Sequence, residues 1–323
     1  MMKQYGFSWS AALMAVGVGA LAWAGPEAVQ NVQKPALSGG TPVVFGFGGE
    51  GNQEFMLNGK PFQIRGAEMH PQRIPREYWR HRIRTAKAMG LNTIAFYVFW
   101  NDHEQPDGSF DFKTGNRDLE GFLKLCQEEG MWVLFRPGPY ACGELDLGGL
   151  PHYLLKDPKA KLRTTEDAKF MKAQTRYLEA VARVAEPFLA KNGGPILMTQ
   201  LENEYGSYQR KDRKYMEWLK AFWSRKGFGP FYTSDGAGEH FLKGVVLPGV
   251  AVGLDPGLND GHWAVANKCN PGVPVFSSET YPGWLRHWGE GNWAPTPGVV
   301  NHVRWFMDKG RSFSLFVFHG GTN

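Results

Sequence analysis

Eight short apolar runs, seven of them followed by a stretch with helical periodicity, constrain this chain more than any other feature. The runs are "FQIRGAEMH" (62–70), "TIAFYVFW" (93–100), "WVLFRPGP" (132–139), "ILMTQLENE" (196–204), "FYTSD" (231–235), "AVGLD" (251–255), "VFSSETY" (275–281) and "SFSLFVFHGG" (312–321). Between them lie "REYWRHRIRTAKAMG", "RDLEGFLKLCQEEG", "DAKFMKAQTRYLEAVARVAEPFLAKN", "KYMEWLKAFWSRKG", "GEHFLKGV", "HWAVANKC" and "GVVNHVRWFMDKG". Several of these carry apolar residues three and four apart, as a helix packed on one face requires. Gly90, Gly130, Gly193, Gly227 and Gly310 close five of them, as helix C-termini prefer. Strand and helix alternating to eight strands is the pattern of a (β/α)8 TIM barrel. A doubly wound open sheet is the main competitor. Eight parallel candidates and the lack of a phosphate loop favour closure. Gly46-x-Gly48-x-x-Gly51 formally matches a dinucleotide fingerprint, but a hairpin signal at Asn58-Gly59 follows it where a helix would be needed.

The 323 residues divide into 1–24, read as a signal peptide, 25–50, a Pro- and Gly-rich linker and lead-in, and 51–323, the barrel. The first segment has an early lysine, an apolar stretch and Ala22-Trp23-Ala24. That layout predicts export, with cleavage after Ala24 and a secreted or periplasmic product. No membrane insertion is expected once the signal is removed. Loss of Lys3 lowers the formal net charge of +5 by one, and the remaining bases are interspersed with acids, as in "YQRKDRKY". They read as solvated helix faces, so no nucleic-acid partner is expected. Three cysteines, Cys126, Cys142 and Cys269, make no disulfide framework. The nine histidines show no ligand spacing, and the chain calls for no metal or other cofactor. Composition is ordinary except for 14% aromatic residues, 12 of them Trp, which suits both a large core and a sugar site.

In such a barrel chemistry sits at the C-terminal ends of the strands. Those ends offer Glu68 and His70; Tyr97, Trp100 and Asn101; Arg136, Pro137, Tyr140 and Glu144. Further on come Asn203-Glu204, Asp235, Asp255, Glu279 with Tyr281, and His319. Four glutamates, two aspartates, amides and aromatics form a carbohydrate-like mouth. Glu204 ends the fourth strand candidate and Glu279 the seventh, so closure brings them across one pocket. Retaining glycoside hydrolysis needs such a pair, one carboxyl as acid/base and one as nucleophile, about 5–5.5 Å apart. Alternation along a strand does not choose between Glu202 and Glu204, because residues two apart share a face. Any one of these acids could instead be a structural partner of Arg65, Arg73 or Arg136.

The blocks "YWRHRIRTAKAMGLNTIAFYVFWNDHE", "RPGPYACGELDLGGLP", "GGPILMTQLENEYGSY", "SSETYPGWLRHWGE" and "FHGGTN", spread over residues 55–323, resemble glycoside hydrolase family 35, the acid-type β-galactosidases. The resemblance implies an exo-acting retaining enzyme that removes terminal β-D-galactosyl residues. Its acid/base would be Glu204 and its nucleophile Glu279. Family sugar contacts would fall on Tyr97, Cys142, Gly143, Glu144, Asn203, Tyr281 and Trp284. The carbohydrate substrate is then the expected partner, while oligomeric state is left open. Three departures bear on which sugar and linkage are accepted. Phe316 stands where many members have Tyr, Leu145 where Trp is common, and Gly143 where Ala is usual. Family members continue beyond the "HGGTN" motif into a last barrel helix and β-rich domains. The expectation is therefore an eighth strand without its covering helix, with Phe313, Leu315, Val317 and Phe318 partly exposed. A rival from another class is a sugar-binding barrel without turnover. A third reading keeps the mechanism but acts on glucosaminide or arabinoside ends.

Overall fold

A computed structural model describes residues 42–287, 289–291 and 295–321. The expected signal peptide, and most of the linker after it, lie outside the described residues. Strands β1 (Phe45–Gly48), β2 (Glu54–Leu57) and β3 (Lys60–Pro61) form a small antiparallel sheet. The stretch 42–48 therefore differs from a loose lead-in: β1 pairs with β2 through Phe45↔Leu57 to Gly48↔Glu54. Asn58 and Gly59, both at positive φ (50° and 75°), make the tight turn between β2 and β3 that this dipeptide predicts.

The eight predicted strands all form. They are β4 (Arg65–Met69), β5 (Thr93–Tyr97), β6 (Trp132–Arg136), β7 (Ile196–Gln200), β8 (Phe231–Gly236), β9 (Ala251–Asp255), β10 (Val275–Thr280) and β11 (Phe313–His319). They pair in parallel in sequence order, and β11 joins β4 through Phe313↔Arg65 to Leu315↔Ala67, closing the barrel. Helices α1 (Trp79–Ala88), α2 (Trp100–His103), α3 (Leu119–Glu128), α4 (Ala168–Ala185), α5 (Arg213–Arg225), α6 (Glu239–Leu242), α7 (Asp260–Cys269) and α8 (Val299–Asp308) fill the connections. In the fifth unit the stretch "GEHFLKGV" is reduced to the four residues of α6.

Side-chain polarity sorts the two faces of the wall. Outward apolar residues pack on helices: Phe96 meets Phe122 of α3 at 4.9 Å, and Phe313 stacks on Phe306 of α8 at 5.3 Å. That stacking buries Phe313, which was expected to be exposed, while Leu315, Val317 and Phe318 are half-buried. Burial on both faces explains why the strands read as continuous apolar runs. The helices start where the sequence supplies an acceptor for their free N–H groups. Asp118 caps α3, Asp167 caps α4, Asp212 caps α5 and Asn259 caps α7. Phe55 of the small sheet meets Phe276 of β10 edge-on at 5.6 Å, filling the end of the barrel remote from the polar mouth.

Candidate active site

The fourth barrel strand stops earlier than alternation assumes. β7 ends at Gln200, and the chain then passes through left-handed conformations at Glu202 (φ 61°) and Glu204 (φ 42°). Such conformations are rare for residues with a Cβ and persist where the surroundings over-determine them. Here those surroundings are plain. Glu204 N donates to Ser234 O (2.8 Å), and Gly206 N donates to Asp235 Oδ1 (2.7 Å). A Cβ on Gly206 would sit 1.9 Å from Phe241 O, so only glycine allows this turn.

The two left-handed glutamates thereby part company. Glu202 turns inward to a buried ion pair, accepting from Arg163 Nε (3.0 Å) and Nη2 (2.6 Å), from Tyr215 Oη (3.2 Å) and from its neighbour Asn203 N (2.8 Å). Its lone pairs are committed to structure. Glu204 is half-buried and lines an open cavity of about 660 Å³ that also contains Glu279. Among the described residues no basic side chain forms an ion pair with Glu204; the pairs at the mouth go to Glu68, Glu202 and Glu279.

Glu279 lies within β10, at a register irregularity against β11 between Ser277 and Thr280. Arg136 Nη2 donates to its Oε1 (2.5 Å) and Tyr281 Oη to its Oε2 (3.2 Å). Burial pushes the Glu279 carboxyl up to about 7; the Arg136 charge opposes this and the Glu204 charge adds to it. Asp235 is likewise raised to about 7 by burial, with Gly206 N–H opposing and Glu204 adding. Asp255 is held well above the carboxylate range by burial and by the charges of Glu279 and Glu204. One guanidinium among so many acids leaves protons to be shared within the cluster.

Arg136 organises the floor. Its Nε donates to Gln200 Oε1 (2.7 Å) and its Nη2 also reaches Tyr97 Oη (2.5 Å) and Asn203 Oδ1 (2.8 Å), while Nη1 lies 3.0 Å from Glu68. Its guanidinium stacks 3.9 Å above the Tyr97 ring.

The expected sugar contacts therefore occupy two levels. Cys142, Glu144, Tyr281 and Trp284 line the cavity with the two carboxylates. Trp284 is 66% exposed, its ring perpendicular to Tyr281 at 5.5 Å, so it stands at the rim. The Cys142 thiol lies beside Glu204, and burial and that charge raise its pKa. Tyr97 is fully buried beneath Arg136, and Asn203 is buried behind Glu204. Among the described residues Asn203 Nδ2 has no partner, which leaves both of its N–H donors unused. Gly143 is buried and gives its carbonyl to Arg73 Nη1 (2.6 Å). A methyl group there would meet Phe99, Arg73 and His70 at 3.4–3.5 Å, ordinary contact, so the alanine usual in the family would fit. Phe316 packs 5.6 Å from Arg136 and 6.1 Å from Tyr281, leaving the Tyr281 hydroxyl to serve Glu279.

Other strand-end candidates serve the scaffold. Trp100 stacks on Tyr177 and donates to Glu104 (2.6 Å), and Tyr140 stacks on Arg163. Three residues that strand-end reading passed over bond to side chains of the site: Gln200 to Arg136, and Ser234 and Ser278 to Asp255. Each is a polar residue inside an otherwise buried strand, and that was their available signal.

Comparison with known proteins bears on the family and the fold. The family model described as glycosyl hydrolases family 35 matches residues 54–323. A β-galactosidase of Xanthomonas manihotis is 39% identical over 282 residues, covering 86% of this chain and 46% of that protein. β-Galactosidase-1-like protein 3 of Homo sapiens is 40% identical over 277 residues, 85% of this chain and 42% of that one. The chain thus spans less than half the length of these relatives. Among solved structures, an exo-β-1,4-mannosidase from Opitutaceae bacterium strain TAV5 superposes with a TM-score of 0.57 at 14% identity, covering 80% of this chain and 52% of that one. A β-glucanase from Saccharophagus degradans gives 0.55 at 14% identity, covering 86% and 85%. These two share the barrel fold. A closed eight-stranded barrel and a family match that runs from β2 to the last residue lead to one conclusion: the chain belongs to glycosyl hydrolases family 35.

Proposed function

We propose that this chain is an exo-acting β-galactosidase that hydrolyses terminal non-reducing β-D-galactosyl residues with retention. The carrying observation is that Glu204 and Glu279 line one cavity, with donors on Glu279 and none of the basic side chains on Glu204. The galactoside specificity is carried over from the named relatives.

Glu279 attacks the anomeric carbon through its carboxylate while Glu204 gives its proton to the departing glycosidic oxygen. The C–O bond to the aglycone breaks as the bond to Glu279 forms. Glu204, now a carboxylate, takes a proton from water, whose oxygen displaces Glu279 and restores the enzyme. Arg136 and Tyr281 stabilise Glu279 as an anion at the start and as a leaving group at the end. The unpartnered Asn203 Nδ2 supports a hydrogen bond to a ring hydroxyl beside the acid/base, and Trp284 offers a C–H-stacking wall. The layout of residues 1–24 supports export by a signal peptide, and we place the protein as secreted or periplasmic.

A panel of aryl β-galactosides, glucosaminides and arabinosides tests the sugar. Hydrolysis of the galactoside, with the β anomer appearing first by NMR, is expected. Preference for another glycoside, or first appearance of the α anomer, contradicts the reading. Binding without turnover favours the non-catalytic alternative.

A further inference from the structure

One buried carboxyl takes no part in these steps. Asp255 ends β9 and is 9% exposed. Its Oδ1 accepts from Ser278 Oγ (2.7 Å) and Ser234 Oγ (3.0 Å), and its Oδ2 lies 3.1 Å from Ser234 Oγ. The two serine hydroxyls are themselves 2.9 Å apart, so the three side chains form a closed triangle across β8, β9 and β10.

The triangle sits where two of the neighbouring ladders stop, while β8 and β9 stay paired through Gly236↔Asp255. Backbone pairing between β9 and β10 ends at Ser277↔Leu254, one residue short of Ser278 and Asp255. Pairing between β7 and β8 ends at Gln200↔Tyr232. Beyond those rungs lie the two carboxylates of the proposed mechanism. Ser278 is the residue before Glu279, and Ser234 accepts the backbone N–H of Glu204 (2.8 Å). Asp255 thus joins the two residues from which the pair is suspended. The approach is built into the backbone as well: a Cβ on Gly253 would lie 2.4 Å from Ser278 Oγ and 2.4 Å from Thr233 O.

We propose that Asp255 is a positioning residue whose bonds to Ser234 and Ser278 set the separation of Glu204 and Glu279. The role rests on reading those two glutamates as the reacting pair. A displacement of about 1 Å in such a pair can cost about a hundredfold in rate. Asp255→Ala should therefore lower kcat by about 100-fold with KM little changed, assayed well below its melting temperature. Asp255→Asn, whose amide retains an acceptor for one serine, should recover at least about tenfold of that loss.

Crystal structures of the wild type and Asp255→Ala supply the test that does not depend on turnover. The proposal predicts that the carboxylate separation changes by about 1 Å while the barrel strands superpose. An unchanged separation overturns it, as does a variant that is less stable but keeps wild-type kcat. If the wild type hydrolyses no β-galactoside, the functional reading fails while the crystallographic comparison still decides the positioning role. Should Asp255→Ala not fold, Ser278→Ala removes one side of the triangle and must shift Glu279 in the same comparison.

Discussion

Arg136 Nη2 stands 2.5 Å from Glu279 Oε1, and both side chains are only 2% exposed. A buried charge pair of this kind is held by its whole set of partners rather than by its own attraction. Arg136 has the planar fork needed to serve Gln200, Tyr97, Asn203 and Glu279 together. Arg136→Lys keeps the charge and loses the fork, so kcat should fall about 100-fold in a folded protein. Arg136→Ala leaves Glu68 and Glu279 unpaired and should cost about 3–5 kcal/mol of stability. Steady-state kinetics and denaturant melts check both. Wild-type kcat in Arg136→Lys would remove Arg136 from the account.

Glu202 and Glu204 should separate cleanly by experiment. Glu202→Gln strands Arg163 and should cost stability, up to about 3–5 kcal/mol, with near-normal kcat in the folded fraction. Glu204→Gln should retain the first step on substrates with good leaving groups and lose the second. Azide should partly rescue Glu204→Ala by replacing the activated water. Inactivity of Glu202→Gln beside an active Glu204→Gln would reverse the assignment.

Stability should fall as pH rises from about 6 through 7, where Glu279 and Asp235 give up their protons, and Asp255 should carry the fall above 7. In the folded chain Glu279 and Asp235 sit at about 7 and Asp255 well above its ordinary value, whereas the unfolded carboxyls are already ionised. The folded state therefore holds more protons in this window, and losing them leaves uncompensated buried charge. The expected loss is on the order of a few kcal/mol, read as a drop of several degrees in Tm. The neutral buried His70 and His103 act in the opposite sense, at the lower edge of this window and below it, where the unfolded imidazoles charge. Asp235→Asn should flatten the slope; a stability that rises across the window would contradict the buried-acid description.

How far the sequence reaches depends on what kind of signal each residue leaves. The strands were legible because a barrel wall buried on both faces must be apolar nearly throughout. The helix ends were legible because Gly90, Gly130, Gly193, Gly227 and Gly310 all adopt the positive φ that closing a helix requires. The choice between Glu202 and Glu204 was not legible from alternation, since β7 ends at Gln200 and left-handed turns take over. Nor was the depth of Tyr97 and Asn203 below Arg136, which depends on side chains from three strands meeting. The Asp255 triangle was hidden for the same reason. Serines in strands look unremarkable one at a time, and only closure sets Ser234 and Ser278 against one carboxyl.

Trapping decides whether Glu279 forms a covalent glycosyl bond during β-galactoside hydrolysis. The chain is incubated with a 2-deoxy-2-fluoro-β-galactosyl donor bearing a good leaving group, digested, and mapped by mass spectrometry. One fluorogalactosyl group is expected on the peptide containing "SSETY", attached at Glu279 and absent from Glu279→Gln. Label on Glu204 or Glu202, or steady turnover of β-galactosides with no label on any carboxylate, would contradict it.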